Sequence, residues 1–289
     1  QTADEADRVI EQVLINKRSR ENAEKERLNI RKKLMGNVDN MTNRIKNFVD
    51  CRSNNVEERE LYIVEGNSAL GSVKMARDSR FQGVIPVRGK ILNCLKASIN
   101  QIFKSDIIVD LLKILGCGVE LESKHNKNFS DFDINKLRWN KIIICTDADV
   151  DGFQIRTLIL AMFYRLTPTL ITEHKIHIAE SPLFEITHTV KNIEKTYFAY
   201  SELEKNEILQ KTKTGKVHIQ RSKGLGENEP EMMWHTTMNP ETRRLIQVVP
   251  ESQEEMFAMF DLLLGNNLNG RKEYIAENGN KYMDMLDVV

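Results

Sequence analysis

The feature that most constrains the fold is a short, unbroken run of branched apolar residues that passes directly into an acidic turn and a helical pattern. The run KIIIC at 141–145 is short and lacks polar alternation, so it predicts a strand buried on both faces. The segment DADVDG follows at 147–152, and from Ile155 to Leu166 the apolar residues keep helical spacing. A strand that runs straight into a helix is the repeating unit of a parallel α/β sheet.

Further runs repeat this order of strand and helix. Other short strands are predicted at 61–64, at 84–87 and from His177 onward. Helical segments are predicted from about Ser68, around 91–103 and around 106–115. The alternation predicts an α/β fold whose first domain, at 59–180, is a Rossmann-like parallel sheet.

The two flanking regions differ from this α/β segment in composition. Residues 3–35 lack Gly and Pro and are rich in charge, which predicts a long solvent-exposed helix ending at Gly36. Residues 1–58 are therefore predicted to be a helical linker, and because the sequence begins with Gln1 we expect it to be part of a longer polypeptide. Beyond Pro182 the pattern is mixed and helical, which predicts a second, smaller tail domain at 181–289.

Four acidic residues follow two of the predicted strands. Glu65 ends the strand at 61–64, and Asp147, Asp149 and Asp151 follow the strand at 141–145. We expect them to converge, because parallel strands present their carboxyl ends at one edge of the sheet. Unpaired, such charges would raise one another's pKa, a conflict that a hard divalent cation resolves. The sequence therefore predicts an Mg²⁺ site built from these four carboxylates.

Other interpretations of DADVDG are possible. An Asp after a strand can cap the next helix, which accounts for one acid better than for four. A calcium loop of this pattern needs Glu at its twelfth position, which is Leu158 here. A phosphatase in which the first Asp is the nucleophile stays open. A dinucleotide site is not supported, because no G-x-G-x-x-G segment is present.

Charge is balanced over the whole chain but not along it. The 42 Lys and Arg residues offset 42 Asp and Glu residues, yet basic blocks at 74–104 and 211–226 could contact a polyanion. A non-catalytic DNA-binding module is therefore an alternative to an enzyme. The longest apolar run, 158–164, is far shorter than the roughly 20 residues of a membrane span. The four cysteines form no C-x-x-C pair, which favours reduced thiols and a cytoplasmic location.

Five ordered motifs resemble a known family. They are EGNSALGS (65–72), PVRGKILN (86–93), DADVDGFQIRTL (147–158), QRSKGLGE (220–227) and TTMNPETRRL (236–245). Together they are similar to the B subunits of bacterial type II topoisomerases, meaning DNA gyrase or topoisomerase IV. The resemblance implies a TOPRIM domain followed by that subunit's tail domain. Asn67 and Leu70 depart from the family's usual EGDSAGGS, and Ser222 replaces an aromatic residue, but Glu65 is retained.

The resemblance also implies a reaction. Both strands of a duplex are cut, a second duplex passes, and the cut is sealed. Mg²⁺ held by Glu65, Asp147 and Asp149, with Asp151 as a further ligand or support, would polarise the scissile phosphate. The nucleophilic tyrosine is expected from a partner A subunit in an A2B2 assembly. ATP is expected to be used by an N-terminal region outside this sequence, since no phosphate-binding glycine loop is present.

Basic and glycine residues near two of the motifs are predicted to contact the double-stranded DNA. Phosphate contacts are predicted for Arg88, Lys90, Arg221 and Lys223. Lys90 is also placed in the predicted catalytic set with Glu65, Asp147 and Asp149. Gly224 and Gly226 are predicted to let the backbone approach the DNA closely.

Overall fold

The centre of the molecule is a mostly parallel sheet. The computed structural model describes residues 2–34, 45–120, 131–221, 224–250 and 252–285. The first four strands are β1 (Glu60–Glu65), β2 (Gln82–Val87), β3 (Lys141–Cys145) and β4 (Ile176–Ala179). They lie in the order β2-β1-β3-β4, and every neighbouring pair is parallel. The parallel α/β sheet predicted from the sequence is confirmed.

Helices cover both faces of this sheet. Those before the tail are α1 (Thr2–Leu34), α2 (Gly66–Ala76), α3 (Ile99–Ile102), α4 (Asp106–Leu115), α5 (Val150–Leu166) and α6 (Pro168–Thr172). Successive side chains of a strand point to opposite faces. In β1, Leu61 and Ile63 join one apolar cluster with α4 and α5, whereas Tyr62 and Val64 join a second cluster with α2. Both faces of the central strands are therefore buried, as their unbroken apolar sequence predicts.

The predicted helix around 91–103 is wrong in its first half. Only Ile99–Ile102 is helical, and the residues before it form a turn. The Asn93 side chain accepts a hydrogen bond from the Leu95 N–H at 3.0 Å, which competes with helix formation. Ser98 then begins a new helix through a capping box with Gln101.

The tail contains strands that the sequence did not predict. They are β5 (Phe184–Val190), β6 (Ile193–Ala199), β7 (Lys216–Arg221) and β8 (Leu245–Gln247). The first three form an antiparallel sheet in the order β6-β5-β7. The tail helices are α7 (Glu202–Lys211), α8 (Pro230–Met233), α9 (Gln253–Leu264) and α10 (Leu268–Asn278), with a π-helical turn at Trp234–Met238.

The tail is joined to the parallel sheet rather than suspended from it. Strand β8 pairs antiparallel with β4 and becomes the fifth strand of the central sheet. Leu225, Met233 and Met238 are buried in the same cluster as Tyr62 and Val64. The predicted boundary at residues 180–181 is thus crossed by a shared sheet and a shared core, and the division into domains stays a prediction.

The N-terminal helix α1 is confirmed over Thr2–Leu34, and its described side chains from residue 8 to 22 are all exposed. The predicted helix end at Gly36 lies outside the described residues. Across the described part of the chain, no helix combines the length and apolar character needed to cross a lipid bilayer.

Candidate metal centre

The predicted acidic residues lie at the carboxyl edge of the parallel sheet. Strand β1 lies between β2 and β3, with Glu65 in register with Val87 at the end of β2. Because the three strands are parallel, the chain leaves them at the same edge. Glu65, Arg88 and Asp147 therefore lie at the ends of adjacent strands.

Glu65 and Asp147 make direct contact at this edge. The backbone N–H of Asp147 donates a hydrogen bond to Oε2 of Glu65 at 3.3 Å. Burial, followed by the charge of Asp147, raises the pKa of Glu65. Burial also raises the pKa of Asp147, and the charges of Asp149 and Glu227 add to this, although a hydrogen bond from Leu225 acts in the opposite direction. The pair therefore carries negative charge that its protein surroundings only partly compensate.

Asp149 and Asp151 have protein partners of their own. Asp149 begins helix α5, and its Oδ1 accepts a hydrogen bond from the Gly152 N–H at 2.7 Å. The capping interpretation therefore applies to this acid, through one of its two oxygens. Oδ1 of Asp151 lies 2.7 Å from Nζ of Lys90, and both side chains are substantially exposed. The structure thus pairs a predicted metal ligand with a predicted phosphate contact.

A turn from the tail reaches this edge and was not foreseen as part of the site. The backbone N–H of Leu225 donates a hydrogen bond to Oδ1 of Asp147 at 2.8 Å. Gly224 lies against the same carboxylate, since a Cβ added there would be 3.0 Å from Oδ2 of Asp147. A Cβ added at Gly226 would be 2.7 Å from Cβ of Ser68. In the structure both glycines pack against protein atoms, and their predicted close approach to DNA stays a prediction.

The predicted basic contacts are exposed where the structure describes them. Arg88 and Lys90 follow β2 at the carboxyl edge, and Arg221 ends β7. Lys223 lies outside the described residues. Strand β7 is exposed along its whole length and also carries Lys216.

The donor atoms at this edge suit a hard divalent cation. Carboxylate oxygens are the ligands that Mg²⁺ prefers, and a cation would stabilise the charged forms of Glu65 and Asp147, whose pKa values are raised by burial and then by neighbouring charges. Among the residues that the structure describes, no three His, Cys, Asp or Glu side chains are gathered as a ready-made metal cage. A carboxylate pair without a full cage resembles sites where Mg²⁺ keeps water and binds substrate phosphate.

Comparison with known proteins matches both parts of the chain. A family model described as the Toprim domain matches residues 60–181, the segment that contains Glu65 and Asp147. A model described as the carboxyl terminus of the DNA gyrase B subunit matches residues 214–276. Neither description is that of a phosphatase, so the phosphatase alternative is not favoured.

Curated relatives agree with these models. The DNA gyrase B subunit of Thermotoga maritima is 41% identical over 277 residues, covering 96% of this chain and 41% of the relative. The same subunit from Clostridium acetobutylicum is 44% identical over 282 residues, covering 97% and 42%. That of Archaeoglobus fulgidus is 44% identical over 241 residues, covering 83% and 36%. The chain thus spans about two fifths of the length of the first two of these relatives.

Proposed function

The chain belongs to the DNA gyrase B-subunit family, and on this basis we propose that it is the metal-binding and DNA-binding part of a type II DNA topoisomerase. The observation that carries the proposal is the contact between Glu65 and Asp147 at 3.3 Å. It joins acids from two distant segments at the edge where a parallel sheet gathers its working groups.

In the proposed site, Glu65, Asp147 and Asp149 would hold Mg²⁺, and Asp151 would support the site through its ion pair with Lys90. The bound ion supplies stabilisation of the negative charge that develops on the scissile phosphate and the departing oxygen. The remaining work of the chain is to bind and orient the DNA. Arg88 and Lys90 are exposed beside the acids, where they can bind backbone phosphates without reading the base sequence.

Under this proposal, polypeptide segments outside this chain provide the nucleophile and hydrolyse ATP. A partner A subunit provides the nucleophilic tyrosine in an A2B2 assembly, and a part of the B subunit outside this chain hydrolyses ATP. Tyr62 illustrates why the nucleophile is sought elsewhere. Its side chain is fully buried, and its hydroxyl donates a hydrogen bond to the Thr237 carbonyl oxygen at 3.0 Å. We place the enzyme in the cytoplasm, which fits the four free cysteines.

The test is Asp147→Asn in a full-length B subunit reconstituted with its A subunit. We expect Mg²⁺-dependent DNA cleavage to fall by about 100-fold or more, because the variant loses a ligand of the ion that stabilises transition-state charge. DNA binding, measured by fluorescence anisotropy, should remain within a few-fold. Asp106→Asn, at an exposed position on α4, is the matched control and should cleave normally.

The outcomes separate the candidate functions. Normal cleavage by Asp147→Asn would remove this residue from the site. Failure of the unaltered subunit to support any Mg²⁺-dependent cleavage, with DNA binding intact, would favour a non-catalytic DNA-binding module. Turnover of a generic phosphate ester by the isolated chain would favour a phosphatase.

A further inference from the structure

The tail turn at 224–227 contacts the candidate metal site through backbone atoms. The Leu225 N–H donates to Oδ1 of Asp147 at 2.8 Å, and the Asp147 N–H donates to Oε2 of Glu65 at 3.3 Å. One oxygen of each carboxylate is therefore held by a main-chain donor. Two hydrogen bonds therefore link the tail to Asp147, and Asp147 in turn to Glu65.

Three further contacts fix the turn against the parallel-sheet half of the molecule. The Leu225 side chain is 1% exposed and lies in the same apolar cluster as Val64 and Cys145, which lie at the carboxyl ends of β1 and β3, next to the candidate ligands. Oγ of Ser72 donates a hydrogen bond to the Gly226 carbonyl oxygen at 3.2 Å. Gly226 itself packs too closely on Ser68 to carry a side chain. The Leu225 N–H is therefore rigidly placed relative to the two strand ends.

We propose that this turn is a positioning element for the metal site, in which the Leu225 backbone N–H orients the Asp147 carboxylate so that it receives the divalent cation together with Glu65. The inference rests on the proposed function, since it concerns the same carboxylates. Partners that orient metal ligands commonly contribute 10- to 100-fold to metal affinity. The tail thereby controls how well the parallel-sheet half binds its ion.

Gly224→Ala perturbs this contact. Gly224 has an extended backbone (φ −175°, ψ 157°) that alanine adopts without strain, so the substitution acts through space alone. The new Cβ would lie 3.0 Å from Oδ2 of Asp147, so the carboxylate would have to shift by a few tenths of an ångström from the orientation that the Leu225 N–H gives it. Gly71→Ala is the matched control, because a Cβ at Gly71 has no atom within 4 Å.

The first measurement is binding of Mn²⁺, used alone as the probe, to the chain by electron paramagnetic resonance. We expect Gly224→Ala to raise the Kd for Mn²⁺ by about tenfold or more, and Gly71→Ala to leave it within about twofold. In the reconstituted enzyme, the Mg²⁺ concentration that gives half-maximal cleavage should rise by a similar factor. Thermal unfolding is measured in parallel, because general damage to the fold would lower the unfolding temperature of Gly224→Ala.

A second variant removes the Leu225 N–H donor without adding a side-chain atom, although the Gly224 carbonyl, which accepts from the Glu227 N–H at 3.1 Å, becomes a weaker ester acceptor. Replacing Leu225 by its α-hydroxy acid analogue through nonsense suppression turns the amide into an ester, keeps the buried side chain and deletes the N–H. The same rise in Kd is expected, and this variant decides the matter if Gly224→Ala fails to fold in thermal unfolding. Unchanged Mn²⁺ affinity in the ester variant would overturn the inference.

Asp147→Asn distinguishes a failure of the proposed metal site from a failure of the positioning role of the turn. If Asp147→Asn loses Mn²⁺ binding while the ester variant keeps it, the metal site stands and the positioning role of the turn fails. If Asp147→Asn binds Mn²⁺ like the unaltered chain, the proposed site itself fails, and the positioning role fails with it.

Discussion

Arg243 and Glu60 form a buried ion pair that links the tail to the first residue of β1. Two guanidinium nitrogens of Arg243 lie 2.5 and 2.6 Å from the two carboxylate oxygens of Glu60, and both side chains are 5% exposed. Arg243 also donates to the Tyr62 hydroxyl at 2.9 Å, and the Gln82 side chain donates to Glu60 at 3.1 Å. A charge this deeply buried is tolerated because its hydrogen bonds are satisfied.

Removing one partner of this pair should be costly. We expect Arg243→Met to lower the free energy of unfolding by about 3–5 kcal/mol, because the buried Glu60 carboxylate would be left with the longer ion pair with Lys141 at 3.6 Å. The adjacent Arg244 provides a control, since it forms an exposed ion pair with Glu204 at 2.8 Å. Arg244→Met should cost about 1 kcal/mol or less. Urea unfolding of both variants measures the difference, and equal losses would contradict this account of the pair.

The same pair predicts how stability depends on pH. Burial alone would raise the pKa of Glu60, but the hydrogen bonds and charge of Arg243 hold it below its ordinary value of 4.5. A carboxyl group whose pKa is lower in the folded state stabilises the fold above its unfolded pKa, and this stability is lost as pH falls through the folded pKa. We therefore expect the unfolding free energy to drop below about pH 4.5.

Glu60→Gln isolates this contribution. The variant should be less stable than the unaltered chain at neutral pH, and its unfolding free energy should depend less steeply on pH below 4.5. Chemical unfolding followed from pH 7 to pH 3 makes the comparison. Parallel pH profiles for the two proteins would show that another group is responsible.

The acids of the candidate site could be foreseen in the sequence because they lie at the end of a strand or a few residues beyond it. Glu65 and Asp147 take their positions from local strand and turn structure, and the parallel order of β1 and β3 then brings them together. Arg243 and Leu225 could not be found in this way. Their partners, Glu60 and Asp147, lie far away in sequence, and the contacts depend on how the whole tail docks.

Strand β2 has a glycine, Gly83, at the position where the ring of Trp139 packs against it. Gly83 lies in this strand, and a Cβ added there would be 2.5 Å from the ring of Trp139. Trp139 is fully buried, and its indole N–H donates a hydrogen bond to the Ile114 carbonyl oxygen at 2.8 Å. Burial and this hydrogen bond therefore restrain the ring, so it cannot easily move away from Gly83.

Gly83→Ala should destabilise the fold by about 1–3 kcal/mol through overpacking against this ring. Gly71→Ala makes the same chemical change in the interior of helix α2, where the Cβ meets open space. That variant should be neutral or more stable by up to about 1 kcal/mol, because alanine favours a helix over glycine. Thermal and urea unfolding of the two variants, side by side, test the prediction. A fully stable Gly83→Ala would mean that the ring can shift.

Strands with unbroken apolar sequence were predictable, and the tail strands were not. In β5 and β6, polar residues such as Thr187, Thr189 and Lys195 interrupt the apolar pattern, since only one side of this sheet packs on a helix. The available local signal was the two-residue turn at Lys191 and Asn192, both with positive φ. Asn is common in such hairpin turns, but one Asn is a weak marker.

We do not expect the molecule as a whole to divide at the predicted boundary, because the parallel sheet is completed by the tail. A chain ending at residue 181 would lose β8, the buried Leu225 and Met238 side chains, and the partner of Glu60. Such a chain should lack a cooperative unfolding transition and aggregate, as measured by near-ultraviolet circular dichroism and sedimentation velocity.

The control for this prediction removes the other end of the chain. Helix α1 exposes its described side chains from residue 8 to 22, so a chain beginning at residue 45 should keep a cooperative transition. A folded, monomeric chain ending at residue 181 would establish the two halves as independent domains. Loss of folding in both truncated chains would instead assign α1 a structural role.

Strand β1 is fastened to the tail by its first residue, Glu60, and presents the candidate ligand Glu65 with its last. The two residues are the ends of one strand of six residues, so a shift of Glu60 would also move Glu65. Recombination between related genes at a point between β1 and the tail would combine β1 from one parent gene with Arg243 and the turn at 224–227 from another. We therefore expect residues 60–181 and the tail to be inherited together. Crossover points in functional recombinant genes should lie outside this region.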